Sequence, residues 1–269
     1  QNGRLRLYQR NALAAMEQGL LGGKRQMLVA MATGTGKTFT LVSQVYRLLE
    51  SKYTKRILFL VDRKALAAQA VQAFNAFKTP HGGSFDQEYE VYSQRFRRED
   101  ISDESGGEKA RKFDPKVLPE KYLIDPQPSH TFVYVSTIQR MAINLLGREA
   151  IFNQNPGDPD FEDEAGKLDI PIHAFDLIIA DECHRGYTAE EMGIWRRVLE
   201  HFDAVKIGLT ATPAAHTVAI FGEPVFRYGV EQAIKDGFLV DYEAVKIKSQ
   251  VRIEGIFLKE GEKIQKIDT

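Results

Sequence analysis

Cysteine is nearly missing from this 269-residue chain, in which Cys183 stands alone. One thiol cannot close an internal disulfide, and it is too few for a cysteine-built zinc site. A reducing, cytoplasmic setting is the expectation. No apolar run approaches the ~18 residues that a membrane-spanning helix needs, and no signal-like segment opens the chain. Neither charge is in excess: 36 Lys and Arg against 37 Asp and Glu leave a net charge of −1. Any affinity for nucleic acid must then come from a local patch. Internal repeats are lacking, and so is an initiator Met. The chain opens at Gln1 and stops in a charged, strand-like pattern, which points to a piece of a longer protein.

What is present is an ordinary globular composition, 43% hydrophobic and 27% charged. It suffices for one large domain, or one domain and part of another. Apolar spacing predicts helices over 7–20, 37–50, 64–77, 137–146 and 189–200. Short apolar runs predict strands over 26–31, 56–62, 130–136, 175–181 and 204–210. This alternation predicts an α/β fold with a mostly parallel sheet covered on both faces. Such sheets bind ligands beyond the carboxyl ends of their strands. Two stretches interrupt the rhythm, 79–129 and 153–171, both rich in Gly, Pro and charge, and they read as insertions. The expected organisation is one domain over 1–224 and a connector over 225–269.

"MATGTGKT" at 31–38 follows a strand and opens a helix. Its glycines let backbone N–H groups turn inward around phosphate oxygens, and the helix N-terminus adds its positive end. Thr33, Gly34, Thr35 and Gly36 would form the cradle. Lys37 would reach the β- and γ-phosphates, and Thr38 would place its hydroxyl on Mg²⁺. The strict pattern has Gly where Met31 stands. The alternative is a glycine-rich turn without a ligand.

A phosphate loop of this kind needs carboxylates nearby. "DLIIADECHRGY" (176–187) supplies them: four apolar residues run into Asp181 at a strand's carboxyl end, and Glu182 follows. Asp181 would bind Mg²⁺, and Glu182 would orient or deprotonate the water that attacks the γ-phosphate. Cys183 and His184 are adjacent on a strand end, where side chains point apart, so they make a poor nucleophile–base pair. Cys183 reads as a small residue packed behind the loop. Two readings of His184 stand: a sensor of the bound nucleotide, or a structural histidine.

With both halves in view, the sequence resembles the first RecA-like motor domain of superfamily 2 helicases and translocases. Asp181-Glu182-Cys183-His184 is a variant of that superfamily's DEAD/DEAH box. "LTATP" (209–213) is similar to its third motif, and the resemblance gives Thr210 and Thr212 the coupling of nucleotide state to nucleic-acid grip. "LRLYQ" (5–9) is similar to the Q motif, in which Gln9 would read the adenine edge with Arg6 assisting. "LVDRKALAAQ" (60–69) and "VSTIQRM" (135–141) are similar to the motifs that touch the nucleic-acid backbone. Arg63, Thr137, Gln139 and Arg140 are the candidate contacts, being the hydroxyls, amides and cations that grip phosphates. Arg63 and Arg140 can equally be ordinary surface charges.

"VDRKALAAQ", "STIQ", "DECHRGY" and "YGVEQAIKDGFLVDYE" together resemble the restriction (R) subunits of type I restriction–modification enzymes. The resemblance implies an ATP- and Mg²⁺-dependent translocase of double-stranded DNA, working with methyltransferase and specificity subunits. That family also carries a nuclease. The one Glu-x-Lys here, Glu50-Ser51-Lys52, ends a helix, so the nuclease is expected outside this chain. Motifs after the third are lacking too, and slow hydrolysis by the chain alone is expected, since the arginine finger comes from a facing domain. Another superfamily 2 enzyme remains open, whether RNA helicase, repair helicase or type III restriction subunit. So does a nucleotide-gated binding module without turnover.

Overall fold

The computed structural model describes residues 5–96, 115–150, 165–183 and 189–241. It contains one eight-stranded sheet of order β4-β3-β5-β2-β6-β7-β1-β8 in which every pairing is parallel. The five strands read from sequence form its centre: β1 Gln26–Met31, β2 Arg56–Val61, β5 Phe132–Thr137, β6 Leu177–Asp181 and β7 Val205–Thr210. They are apolar on both faces because both faces are covered. Successive side chains of a strand point to opposite sides, so Ile57, Phe59 and Val61 of β2 enter one core while Leu58 and Leu60 enter the other. Burying each such side chain contributes roughly 1.5–3 kcal/mol.

The first core is covered by α1 (Leu7–Leu21), α2 (Lys37–Glu50) and α3 (Lys64–Ala76), and the second by α6 (Ile138–Leu146), α7 (Ala189–His201) and α8 (Ala215–Phe221). These match the five expected helices to within a residue or two and add α8. The stretch 79–129, expected as an insertion, contributes structure of its own. Its described part holds α4 (Phe85–Glu88), α5 (Glu120–Ile124) and the last two strands on one side of the sheet, β3 (Glu90–Ser93) and the edge strand β4 (Lys116–Val117). Strands of four and two residues are too short to display a period. Of the second insertion, residues 165–171 are described; they carry no helix or strand, yet Ala165 and Ile170 are buried, Ile170 in the second core.

The sheet does not stop where the connector was expected to begin. β8 (Pro224–Tyr228) pairs with β1, and α9 (Val230–Lys235) follows. One compact unit runs Gln1–Leu239, and Val240–Thr269 is set off as a second. Among the described residues, no helix is long and apolar enough to cross a membrane.

Candidate active site

Parallel strands deliver all their carboxyl ends to one edge of the sheet. Read along that edge, the order of strands sets out the motifs in a line. Thr137–Arg140 follows β5, Asp62–Lys64 follows β2, Asp181–Glu182 closes β6, Thr210–Thr212 closes β7, and the loop 32–36 follows β1.

The loop rests on left-handed glycines. Gly34 has φ +83° and Gly36 φ +78°, a region open to glycine at little cost. Thr35 is buried, and its hydroxyl donates to the Ala32 carbonyl at 2.6 Å. Thr33 is exposed, and Thr38 is partly exposed at the start of α2. Lys37 is 8% exposed, with Nζ 2.7 Å from Glu182 Oε1. That approach is close enough for an ion pair but off-axis for a hydrogen bond, so the buried ammonium makes no hydrogen bond of good geometry among the described residues. Phosphate oxygens would satisfy it, and a glycine cradle at a helix start fits the same ligand. The donor set of Thr38 and Asp181, a hydroxyl and a carboxylate, suits Mg²⁺, which keeps waters and phosphate oxygens as its other ligands.

Glu182 has φ +52°, a left-handed conformation that costs a residue with a Cβ about 1–2 kcal/mol. Strain of this kind concentrates at functional sites. Its backbone N–H donates to Asp181 Oδ1 at 2.9 Å. Burial first, and the Glu182 carboxylate second, push the Asp181 carboxyl up to about 6; Lys37 and the Glu182 N–H pull the other way. Asp181 pairs in register with Leu209, which sets the first carboxylate beside the turn after β7. In that turn, buried Thr210 donates to the Thr212 carbonyl at 3.0 Å and accepts from the Thr212 N–H at 3.1 Å, while Thr212 faces solvent.

Cys183 is buried in the second core, its N–H donating to the Leu209 carbonyl at 3.2 Å. Burial and Asp181 push its thiol far above the ordinary range, which disfavours the thiolate form that a nucleophile needs. Among the described residues, no group of three or more His, Cys, Asp and Glu could hold a metal ion by itself. His184 lies outside the described residues.

The Q-motif residues adjoin the loop, but Gln9 is 5% exposed and its amide is engaged. Its Oε1 accepts from the Arg6 N–H at 2.9 Å, and its Nε2 donates to the Thr35 carbonyl at 3.2 Å. A nucleotide base reaching Gln9 would meet an amide already held by the Arg6 N–H and the loop carbonyls. Tyr8, which sequence reasoning passed over, is tied to the same place: its hydroxyl donates to the Thr35 carbonyl at 2.8 Å.

Farther along the edge, Arg63 is exposed and pairs loosely with Asp62 at 3.4 Å. Gln139 and Arg140 are half-buried in the first turn of α6. Thr137, expected as a direct contact, is 1% exposed, and its hydroxyl has other work. It accepts from the Arg140 N–H at 3.2 Å, capping α6, and donates to Gln94 Oε1 at 3.1 Å. Gln94 Oε1 also accepts from the Thr137 N–H at 2.8 Å. Gln94 carried no sequence signal, because its partners lie on another strand.

Comparison with known proteins agrees with this arrangement. Residues 2–215 match the family model described as "Type III restriction enzyme, res subunit". The chain belongs to this family. Among relatives of the res-subunit domain, the type I restriction enzyme EcoKI endonuclease subunit of Escherichia coli (strain K12) is 36% identical over 279 residues. That match takes in 98% of this chain and 20% of that protein. The EcoAI endonuclease subunit of Escherichia coli is 32% identical over 260 residues, 93% of this chain and 25% of that protein. The chain thus spans a fifth to a quarter of the length of these relatives. Among solved structures, the type ISP enzyme LlaBIII bound to DNA superposes with a TM-score of 0.58. It is 21% identical and covers 89% of this chain and 16% of that one. A nuclease-deletion mutant of LlaGI gives 0.56 at 22% identity, with 87% and 21% covered. At these identities the structures establish the fold, which is RecA-like.

Proposed function

We propose that the chain is the ATP-binding motor domain of a double-stranded DNA translocase, part of a type I restriction enzyme R subunit. The observation that carries the ATP-hydrolysing part is the meeting of Lys37 and Glu182 at 2.7 Å beside a left-handed glycine loop. The relatives' names, type I endonuclease subunits, carry the rest.

In this reading the N–H groups of residues 33–38 and the Lys37 ammonium bind the triphosphate. Thr38 and Asp181 would hold Mg²⁺, which when bound neutralises charge on the phosphate oxygens. Without phosphate, Glu182 is the counter-ion of Lys37. Phosphate oxygens take over that pairing, and the Glu182 carboxylate then orients the attacking water and accepts its proton. Thr210 and Thr212, one strand from Asp181, relay the state of the site. The duplex backbone lies along the ends of β2 and β5. There Arg63, Gln139 and Arg140 grip phosphates, and Thr137 enters through the helix end that it caps. Gln9 and Arg6 border the base. Hydrolysis is slow without a facing second domain, and methyltransferase and specificity subunits complete the assembly, in the cytoplasm.

The test is ATP hydrolysis by the restriction subunit bearing this domain, with double-stranded DNA, single-stranded DNA or RNA as stimulator. Lys37→Ala serves as control. Stimulation by duplex DNA that the control abolishes is the expected outcome. A preference for RNA or single strands would keep the motor and discard the restriction assignment. Glu182→Gln should bind ATP and lose hydrolysis by at least about a hundredfold; unchanged turnover in that variant would remove Glu182 from the chemistry.

A further inference from the structure

Residues 228–239 carry a family resemblance in the sequence but no role in the site described above, and they close on the phosphate loop from the side opposite β7 and β6. The Tyr228 carbonyl accepts from the Ala32 N–H at 2.9 Å, at the entry to the loop. The Tyr228 ring lies flat on Tyr8, with centroids 4.0 Å apart and planes 7° from parallel. Its hydroxyl donates to Asp236 Oδ2 at 2.9 Å, which pins the end of α9. There the chain turns at Gly237 (φ +74°), and the N–H groups of Phe238 and Leu239 both donate to the Ala233 carbonyl, at 2.8 and 3.1 Å.

That turn delivers two side chains to the site. Phe238 meets the Tyr8 ring edge-on at 5.1 Å, and the Arg6 guanidinium sits 4.4 Å above the Phe238 ring. Leu239 reaches the loop itself: a Cβ placed on Gly34 would stand 3.1 Å from its Cδ2. Phe238 keeps 38% of its surface exposed, so it adds little as core. Its position between Arg6 and Tyr8 is what distinguishes it.

We propose that Tyr228–Leu239 is a brace that positions the phosphate loop, with Tyr228 and Phe238 as its positioning residues. This rests on the nucleotide reading above. Tyr8 and Gln9 both end on the Thr35 carbonyl. A trans peptide points its N–H opposite to its carbonyl, so fixing that oxygen fixes the direction of the Gly36 N–H. The brace holds Tyr8 by stacking and Arg6 by a cation–π contact, and through them the cradle.

The experiment is equilibrium titration of the chain with a fluorescent ATP analogue and, by competition, with inorganic tripolyphosphate. Phe238→Ala is expected to weaken both by about fivefold to tenfold. The unliganded melting temperature should stay within about 2 °C of wild type. Phe238→Tyr should restore binding. Tyr228→Phe keeps the stack, loses the Asp236 bond and should fall between. Wild-type affinity in Phe238→Ala overturns the brace. Loss confined to the ATP analogue also overturns it, because that pattern marks a contact to the base. A wild-type chain that binds neither ligand refutes the nucleotide reading itself, and Lys37→Ala sets that baseline.

Discussion

Replacing Gly36 with alanine is a sharp physical test of the loop. Gly36 has φ +78° and ψ +40° as the residue before α2, so an added Cβ meets the left-handed penalty of about 1–2 kcal/mol. The Cβ would also stand 2.7 Å from Gln9 Nε2, inside van der Waals contact. A free glutamine would swing away, but this amide is 5% exposed and bonded to Arg6 and Thr35. Moving it forfeits a hydrogen bond worth about 1 kcal/mol. The combined cost is about 2–3 kcal/mol, or about 5–10 °C in melting temperature for a domain of this size. Gly34→Ala is the comparison. Its φ of +83° carries the same backbone cost, but the atom in the way is the end methyl of Leu239, which can rotate. It should lose about half as much, by the backbone cost alone. Differential scanning calorimetry of both variants and wild type, without nucleotide, measures this. A Gly36→Ala protein that melts with wild type would mean that neither the left-handed turn nor the Gln9 contact exists before ligand binds.

Gly208→Ala in β7 should cost about 1–3 kcal/mol in chemical denaturation, because its Cβ would lie 2.8 Å from the ring of buried Phe221; no loss would refute that packing. Gln44 is fully buried, and its amide makes no hydrogen bond among the described residues, so Gln44→Met should gain about 1–2 kcal/mol. A loss instead would mean that the amide has a partner such as a bound water. Asp176 accepts from the Lys55 and Arg56 N–H groups and from the Arg56 side chain at 2.9–3.0 Å. Burial opposes its charge, but these donors prevail and hold its carboxyl below the usual value. Its stabilisation is therefore present above pH about 4 and lost as pH falls through the lowered value. With the side chain a third exposed, Asp176→Asn should cost about 1–2 kcal/mol at pH 7 and nothing in strong acid. A cost independent of pH would contradict the assignment.

The local features were legible because their chemistry is local. Gly34, Gly36 and Lys37 announce a phosphate loop by residue type and spacing, and the helix from Lys37 to Glu50 carries its own apolar period. Buried parallel strands such as β2 display themselves as unbroken apolar runs. β3 and β4 were hidden by shortness. β8 was hidden by its opening proline and half-exposed residues, which blur an apolar run. The bond from the Thr137 hydroxyl to Gln94 was not legible because the two lie 43 residues apart. That the Gln9 amide bonds to the Arg6 N–H and the Thr35 carbonyl was not legible either, because no local signal says where a glutamine amide will end.

The sequence by itself determined which residues can hold a phosphate, which carboxylates end a strand and which stretches must be buried. Each depends on side-chain type and on periods of a few residues. Only the tertiary structure decided that β7 stands next to β1 and β6 next to β7, which brings Glu182 to 2.7 Å from Lys37. It also decided that Tyr228 closes over Tyr8. Strand order and the satisfaction of buried polar groups are settled by packing across the whole chain, and no short stretch contains that information.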